Sequence, residues 1–214
     1  MSAVKSKTKM KTKAQVSVAV ELKTLLLREP RLTLAAAESL TAGNVQARIA
    51  SVSGSSGYFR GGVTAYSIEE KVKLLGVNRA AAKRVNCVSA RVAEEMAAGA
   101  ANLFGADLAV ATTGYAEPSA ADGVAVPMAW WAVAHRRRQR VVKIFSGRVE
   151  CPGEPRVAVQ QIVAEAVLAA LHHDTSAYQH LRDLPKARLC ILVWPADEVV
   201  TTKPKTLNQE AGNC

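Results

Sequence analysis

Apolar residues recur at helical spacing at the start of the chain. From Gln15 to Arg28, Val16, Val20 and Leu27 fall near one face with Ala19, and the residue before Pro30 is pushed away from helical geometry, so the pattern predicts a first helix that stops there. A short apolar run, Leu32 to Ala36, then suits a buried strand; it ends at Glu38-Ser39, and a helical pattern resumes from Leu40 to Ser51. Val52 to Gly57 reads as a loop, and Tyr58 to Ser67 as a strand whose Gly61-Gly62 pair implies a bulge or a close backbone approach. Ile68 to Leu75 is helical and Gly76 suits its end. The clearest helix runs from Ser89 to Phe104, with Val92, Met96, Ala100 and Leu103 in register and Gly105 behind it. Leu108 to Thr113 is a strand, Ala129 to Ala134 and Val141 to Phe145 are two more around a turn, and a helix from Arg156 to His172 closes the pattern.

Strands alternating with helices predict an α/β fold: a three-layer α/β/α sandwich with a mostly parallel mixed sheet and a late β-hairpin. Ligands of such sheets gather beyond the carboxyl ends of the strands, where Ser39 and Thr113 both fall. Residues 1–14 read as a basic tail, 15–173 as the folded domain and 174–214 as an extension of unassigned role. Within that extension Leu189 to Trp194 suggests a strand or docking segment, and the composition turns polar after Thr201.

Composition narrows the classes. At 214 residues, 49% of them hydrophobic, the chain can bury one real core, and no apolar run reaches the roughly 20 residues of a membrane span. Met1 to Lys13 lacks the apolar centre of a secretory signal, so a cytoplasmic protein is expected. Cys87, Cys151, Cys190 and Cys214 form no Cys-x-x-Cys pair and read as free thiols, with no metal expected. The formal charge of +10 raises nucleic acid as a partner. Five of those charges are the alternating lysines of the tail, and Arg136, Arg137, Arg138 and Arg140 sit where a hairpin turn is expected. With no aromatic-basic interleaving to stack bases, nucleic-acid binding stays the weakest hypothesis.

Ser39 is the first candidate for chemistry. A serine where a strand yields to a helix sits beside unpaired backbone N–H groups, a natural oxyanion site, and it can equally be a plain helix cap. AESLTAG, SVSGSS, GGVTAYSIEEKVKLLGV, VSARVAEEMAAGA and GADLAVATTGYAEP, in this order, resemble the C-terminal domain of the CinA (competence-damage-inducible) family over roughly residues 15 to 173. That resemblance implies a nicotinamide mononucleotide deamidase, an amidohydrolase that releases ammonia in pyridine nucleotide salvage without a cofactor. It implies Ser39 as nucleophile and Lys71 as base, with Tyr66 and Ser56 as further active-site residues. Thr113, Gly114, Glu38 and Thr41 would line the substrate, Arg156 would hold its phosphate, and the protein would be a homodimer or higher homo-oligomer. The chain departs from the family where ESCTGG becomes ESLTAG, where GIAGPGGG becomes GYAEPSAADG, and where PVGTVW becomes Ala125 to Trp130. Tyr115 and Glu117 thus bring bulk and negative charge toward a site expected to hold a phosphate, while Ala42 and Pro127 alter backbone freedom. A paralogue that binds nucleotide or assembles without turnover is therefore the alternative to an active amidase.

Overall fold

The computed structural model of the chain describes residues 18–183. Helix α1 spans 18–27 and buries Leu22 and Leu26. Five strands follow, β1 (Leu34–Glu38), β2 (Phe59–Thr64), β3 (Leu108–Tyr115), β4 (Met128–Arg137) and β5 (Arg140–Glu150), in the sheet order β2-β1-β3-β4-β5. β1 pairs in parallel with β2 and β3, and β4 is antiparallel to both β3 and β5. Four of the five strands therefore point one way, in the mixed and mostly parallel open sheet that the pattern predicts.

Helices cover both faces. Ala35, Ala37, Ala109, Ala111, Ala132 and Ala134 form a nearly flat alanine surface, which lets α5 (Ala90–Leu103) come close with its own Ala93, Ala97 and Ala100. α3 (Ile68–Leu75) and α4 (Arg79–Arg84) pack beside it. Leu34, Ala36, Leu108 and Val110 face the other way, against α1, α2 (Asn44–Ala50) and α6 (Arg156–Asp183). Alternation along β1 and β3 thus sorts the side chains into two cores.

Several boundaries differ from the sequence pattern, each for a physical reason. α2 begins at Asn44, not Leu40, because Leu40 is apolar to pack with Ala116, Val159 and Val163, outside any helix. α4 escaped the periodicity, although Asn78 caps it by accepting from the Ala81 amide. The expected bulge is present: Leu34 pairs with Phe59 and Ala35 with Gly61, which skips Arg60 and sets Gly61 at φ 134° against the Phe104 ring. β4 and β5 outrun their apolar stretches and meet in a two-residue loop, Arg138-Gln139, with both residues at positive φ. Pro127 lies one residue ahead of β4, where its missing N–H breaks no ladder bond.

α6 does not stop at His172. It runs to Asp183 and buries Asp174, Thr175 and Gln179, so the boundary drawn at 173–174 falls inside a helix. Asp174 bonds to His135 and Lys143 of the sheet, and Gln179 donates to Leu25 O of α1. The basic tail and the segment Leu189 to Trp194 lie outside the described residues.

Candidate active site

The parallel strands end together, and the reactive side chains collect there. Ser39 follows β1, with its backbone N–H donating to Thr112 O at 3.1 Å. It continues the parity of Ala35 and Ala37, so its hydroxyl lies on the α3–α5 side of the sheet. Ala65 and Tyr66 follow β2 and lead into α3, where the Ser67 side chain accepts from the Glu70 amide as N-cap. One turn into α3, Lys71 points back under the sheet end and is only 1% exposed.

Its amine meets three oxygens: Ser39 Oγ at 3.0 Å, Ala65 O at 2.9 Å and Tyr66 O at 2.8 Å. Carbonyl oxygens only accept, so a neutral amine spends its two N–H bonds on Ala65 and Tyr66 and turns its lone pair to the serine hydroxyl. Burial lowers the Lys71 pKa from the ordinary lysine value, opposed only by the nearby Cys87 thiol. Ser39 itself is 8% exposed. An alcohol, an amine biased toward its neutral form and a shielded setting are the parts of a Ser-Lys nucleophile.

The remaining expected residues divide. Thr113 stands at the end of β3 on the same face, but its hydroxyl donates to Cys87 O at 2.7 Å, so only lone pairs remain for a ligand. Tyr66 joins the site twice, by its carbonyl on Lys71 and by its phenol, which accepts from Arg156 Nη2 at 2.8 Å. Arg156, the first residue of α6, also donates through Nη1 to Glu117 at 2.7 Å. Glu38 is fully buried, and its two oxygens take the amides of Gly43, Val45 and Gln46. The cap of α2 is thus Glu38, not Ser39, whose hydroxyl is left to Lys71.

Thr41 Oγ1 shares a 2.7 Å bond with Thr112 Oγ1, on the face of β3 opposite Thr113. Gly114 is required by packing, since a Cβ there would lie 2.3 Å from Met128 O. Ser56 is exposed in a short 3-10 turn ahead of β2, whose first residue pairs with the first residue of β1. It therefore lies at the opposite end of the strand from Ser39, roughly 15 Å away at the rise of a strand, and does not join the Ser39–Lys71 cluster.

Sequence reasoning missed the loop Asn86-Cys87, both residues at positive φ, which overhangs Thr113. Burial raises the Cys87 thiol pKa, and Lys71 partly offsets this. Asn86 donates to Tyr115 Oη and to Asp122, closing one wall of an adjacent cleft of about 320 Å³ that also meets Arg84 and Met128. Only the asparagine hinted at such backbone geometry. Cys87 and Cys151 are free thiols as expected, while Cys190 and Cys214 lie outside the described residues. Among the described residues no group of three His, Cys, Asp or Glu side chains could hold a metal, and no helix is long and apolar enough to cross a membrane.

Comparison with known proteins gives the family. The sequence model of the CinA C-terminal domain matches residues 12–175. A CinA-like protein of Flavobacterium psychrophilum is 44% identical over 97 residues, 45% of this chain and 23% of the relative. A putative competence-damage inducible protein of Streptococcus equi subsp. zooepidemicus is 38% identical over 139 residues, 65% of this chain and 32% of the relative. The chain thus spans about a quarter to a third of the length of these curated relatives. A crystal structure of a competence-damaged protein (CinA) superfamily protein from Klebsiella pneumoniae superposes with a TM-score of 0.69 at 27% identity, covering 76% of this chain and 98% of that one. One from Escherichia coli gives 0.62 at 26% identity, over 73% and 86%. With a family match across residues 12–175 and the same fold in its solved members, the chain belongs to the CinA C-terminal domain family.

Proposed function

We propose that the protein is an amidohydrolase that converts nicotinamide mononucleotide to nicotinic acid mononucleotide and ammonia. The observation that carries this reading is the 3.0 Å contact between Lys71 Nζ and Ser39 Oγ, with the amine buried and its pKa lowered. In the first step Ser39 Oγ attacks the carboxamide carbon as its proton passes to Nζ. The ammonium so formed has three N–H donors, and the Ala65 and Tyr66 carbonyls hold it in place. Charge on the carbonyl oxygen would be met by backbone amides of the turn after Ser39, beginning with Leu40. Collapse of the tetrahedral species expels ammonia with the proton returned by Lys71, and water then releases the acid from the Ser39 ester. Arg156 is the candidate partner for the phosphate and Thr113 an acceptor for the amide nitrogen.

The reading includes a cytoplasmic homo-oligomer needing neither metal nor cofactor. A second reading, a nucleotide-binding or assembly module without turnover, is favoured by the engagement of Arg156 with Glu117. Ammonia release decides between them. Purified protein should liberate ammonia from nicotinamide mononucleotide, and Ser39→Ala should lower the rate by at least about a thousandfold. Equal release by the two proteins would refute the amidase.

A further inference from the structure

Arg156, where a substrate phosphate is expected, already holds an anion of its own chain. Nη1 donates to Glu117 from the loop after β3, and Nη2 donates to the Tyr66 phenol beyond β2. Arg156 also opens α6, whose first turn contains no acidic residue. The positive end of a 28-residue helix and a guanidinium therefore coincide, an unfavourable pairing that invites a negative charge. Glu117 supplies that charge from another element.

We infer that Glu117 is an internal competitor for the anion position on Arg156, a specificity residue that weakens the hold on phosphate-bearing ligands and so narrows the preference of the site for a nucleotide over the corresponding phosphate-free nucleoside carboxamide. Only the identity of the carboxamide rests on the proposed amidase; the competition follows from the contacts of Arg156. The carboxylate and a phosphate oxygen seek the same N–H donor, and one must leave for the other to bind. With side chains 62% and 44% exposed, the Glu117–Arg156 pair is screened by solvent, so Glu117 can be displaced and its effect is a factor of a few. Tyr66 keeps the guanidinium presented after Glu117 leaves. This gives Glu117 a role in selecting ligands that a merely structural ion pair would lack.

The test is a double-mutant cycle on the full chain, titrating inorganic phosphate by calorimetry at low ionic strength against wild type, Glu117→Gln, Arg156→Gln and the pair. Glu117→Gln should bind phosphate about three- to fivefold tighter, and the gain should vanish when Arg156 is also replaced and shrink as salt is added. Unchanged affinity in Glu117→Gln, or a gain that survives without Arg156, would overturn the proposal. Glu117→Ser provides the same cycle if the glutamine variant folds poorly. In a Ser39→Ala background, the preference for nicotinamide nucleotide over nucleoside should rise by the same factor on removing Glu117. Failure of both pyridine ligands to bind would count against the amidase reading, while the phosphate cycle would still decide this one.

Discussion

In the proposed Ser-Lys chemistry one buried side chain, Lys71, would set the pH profile. Its ordinary pKa of 10.5 is lowered chiefly because burial penalises the charged amine. Only the neutral amine can take the Ser39 proton, so kcat/KM for ammonia release should rise with pH and level off once the lowered pKa is passed, below the ordinary lysine range. An ascending limb centred at or above 10.5 would refute this. Lys71→Arg, which keeps the charge but cannot release a proton, should lose at least about a hundredfold in rate. Stability follows the same sign. The penalty on the charged amine is fully present below the folded pKa and is relieved as pH rises from there to the unfolded value, so in that window the fold gains stability with pH. Ser39 and Lys71 were legible because a motif fixes both. Glu38 was not, since an acid after a strand can face a ligand or cap a helix, and only the three amides on its oxygens show which.

At the scale of elements, the position of Lys71 depends on how α3 rests on α5. A Cβ built at Gly99 of α5 would lie 2.1 Å from the carbonyl oxygen of Leu75 and 2.7 Å from its Cα, so the end of α3 sits directly on the glycine. Backbone atoms cannot rotate away as a side chain end could, so Gly99→Ala must displace the helix that carries Lys71. The expected cost is about 1–3 kcal/mol of stability, read by urea unfolding, together with a fall in the ammonia-release rate beyond what the unfolded fraction explains. A variant with lower stability but an unchanged rate per folded molecule would show that α3 does not set the amine. The pattern of apolar residues gave this helix its correct ends, Ile68 and Leu75, with Gly76 closing it as expected, whereas Ser67, read as the end of a strand, is its N-cap. It misjudged α2 and α6, where Leu40 is apolar for a different neighbour and the polar turns after His172 bury Asp174 against the sheet and Gln179 against α1. Periodicity reports burial, and it cannot say which element does the burying.

Across the whole molecule, α6 acts as a strut between two ends of the sheet. Arg156 starts it beside the candidate active site, and eighteen residues later, about 27 Å at the rise of a helix, Asp174 is buried at the far end. There one carboxylate oxygen meets His135 Nε2 of β4 at 2.5 Å and the other accepts from Lys143 Nζ of β5 at 2.6 Å. Burial pushes the Asp174 pKa up, but the bonds from His135 and Lys143 outweigh it and leave the carboxyl below its usual 3.8. A carboxyl with a depressed folded pKa contributes its full stability above the unfolded value and loses it as pH falls through the folded one. Asp174→Asn should therefore cost about 1–3 kcal/mol at neutral pH, a figure reduced for the partial exposure of Lys143. Urea unfolding followed from pH 5 down to 2 should show a constant gap between the two proteins above the usual carboxyl value of 3.8 and a closing one below it, because the wild type loses there what the variant has already lost. Parallel curves over that range would mean that the carboxylate does not clamp α6 to the hairpin, and the strut would have to be held by its apolar face alone.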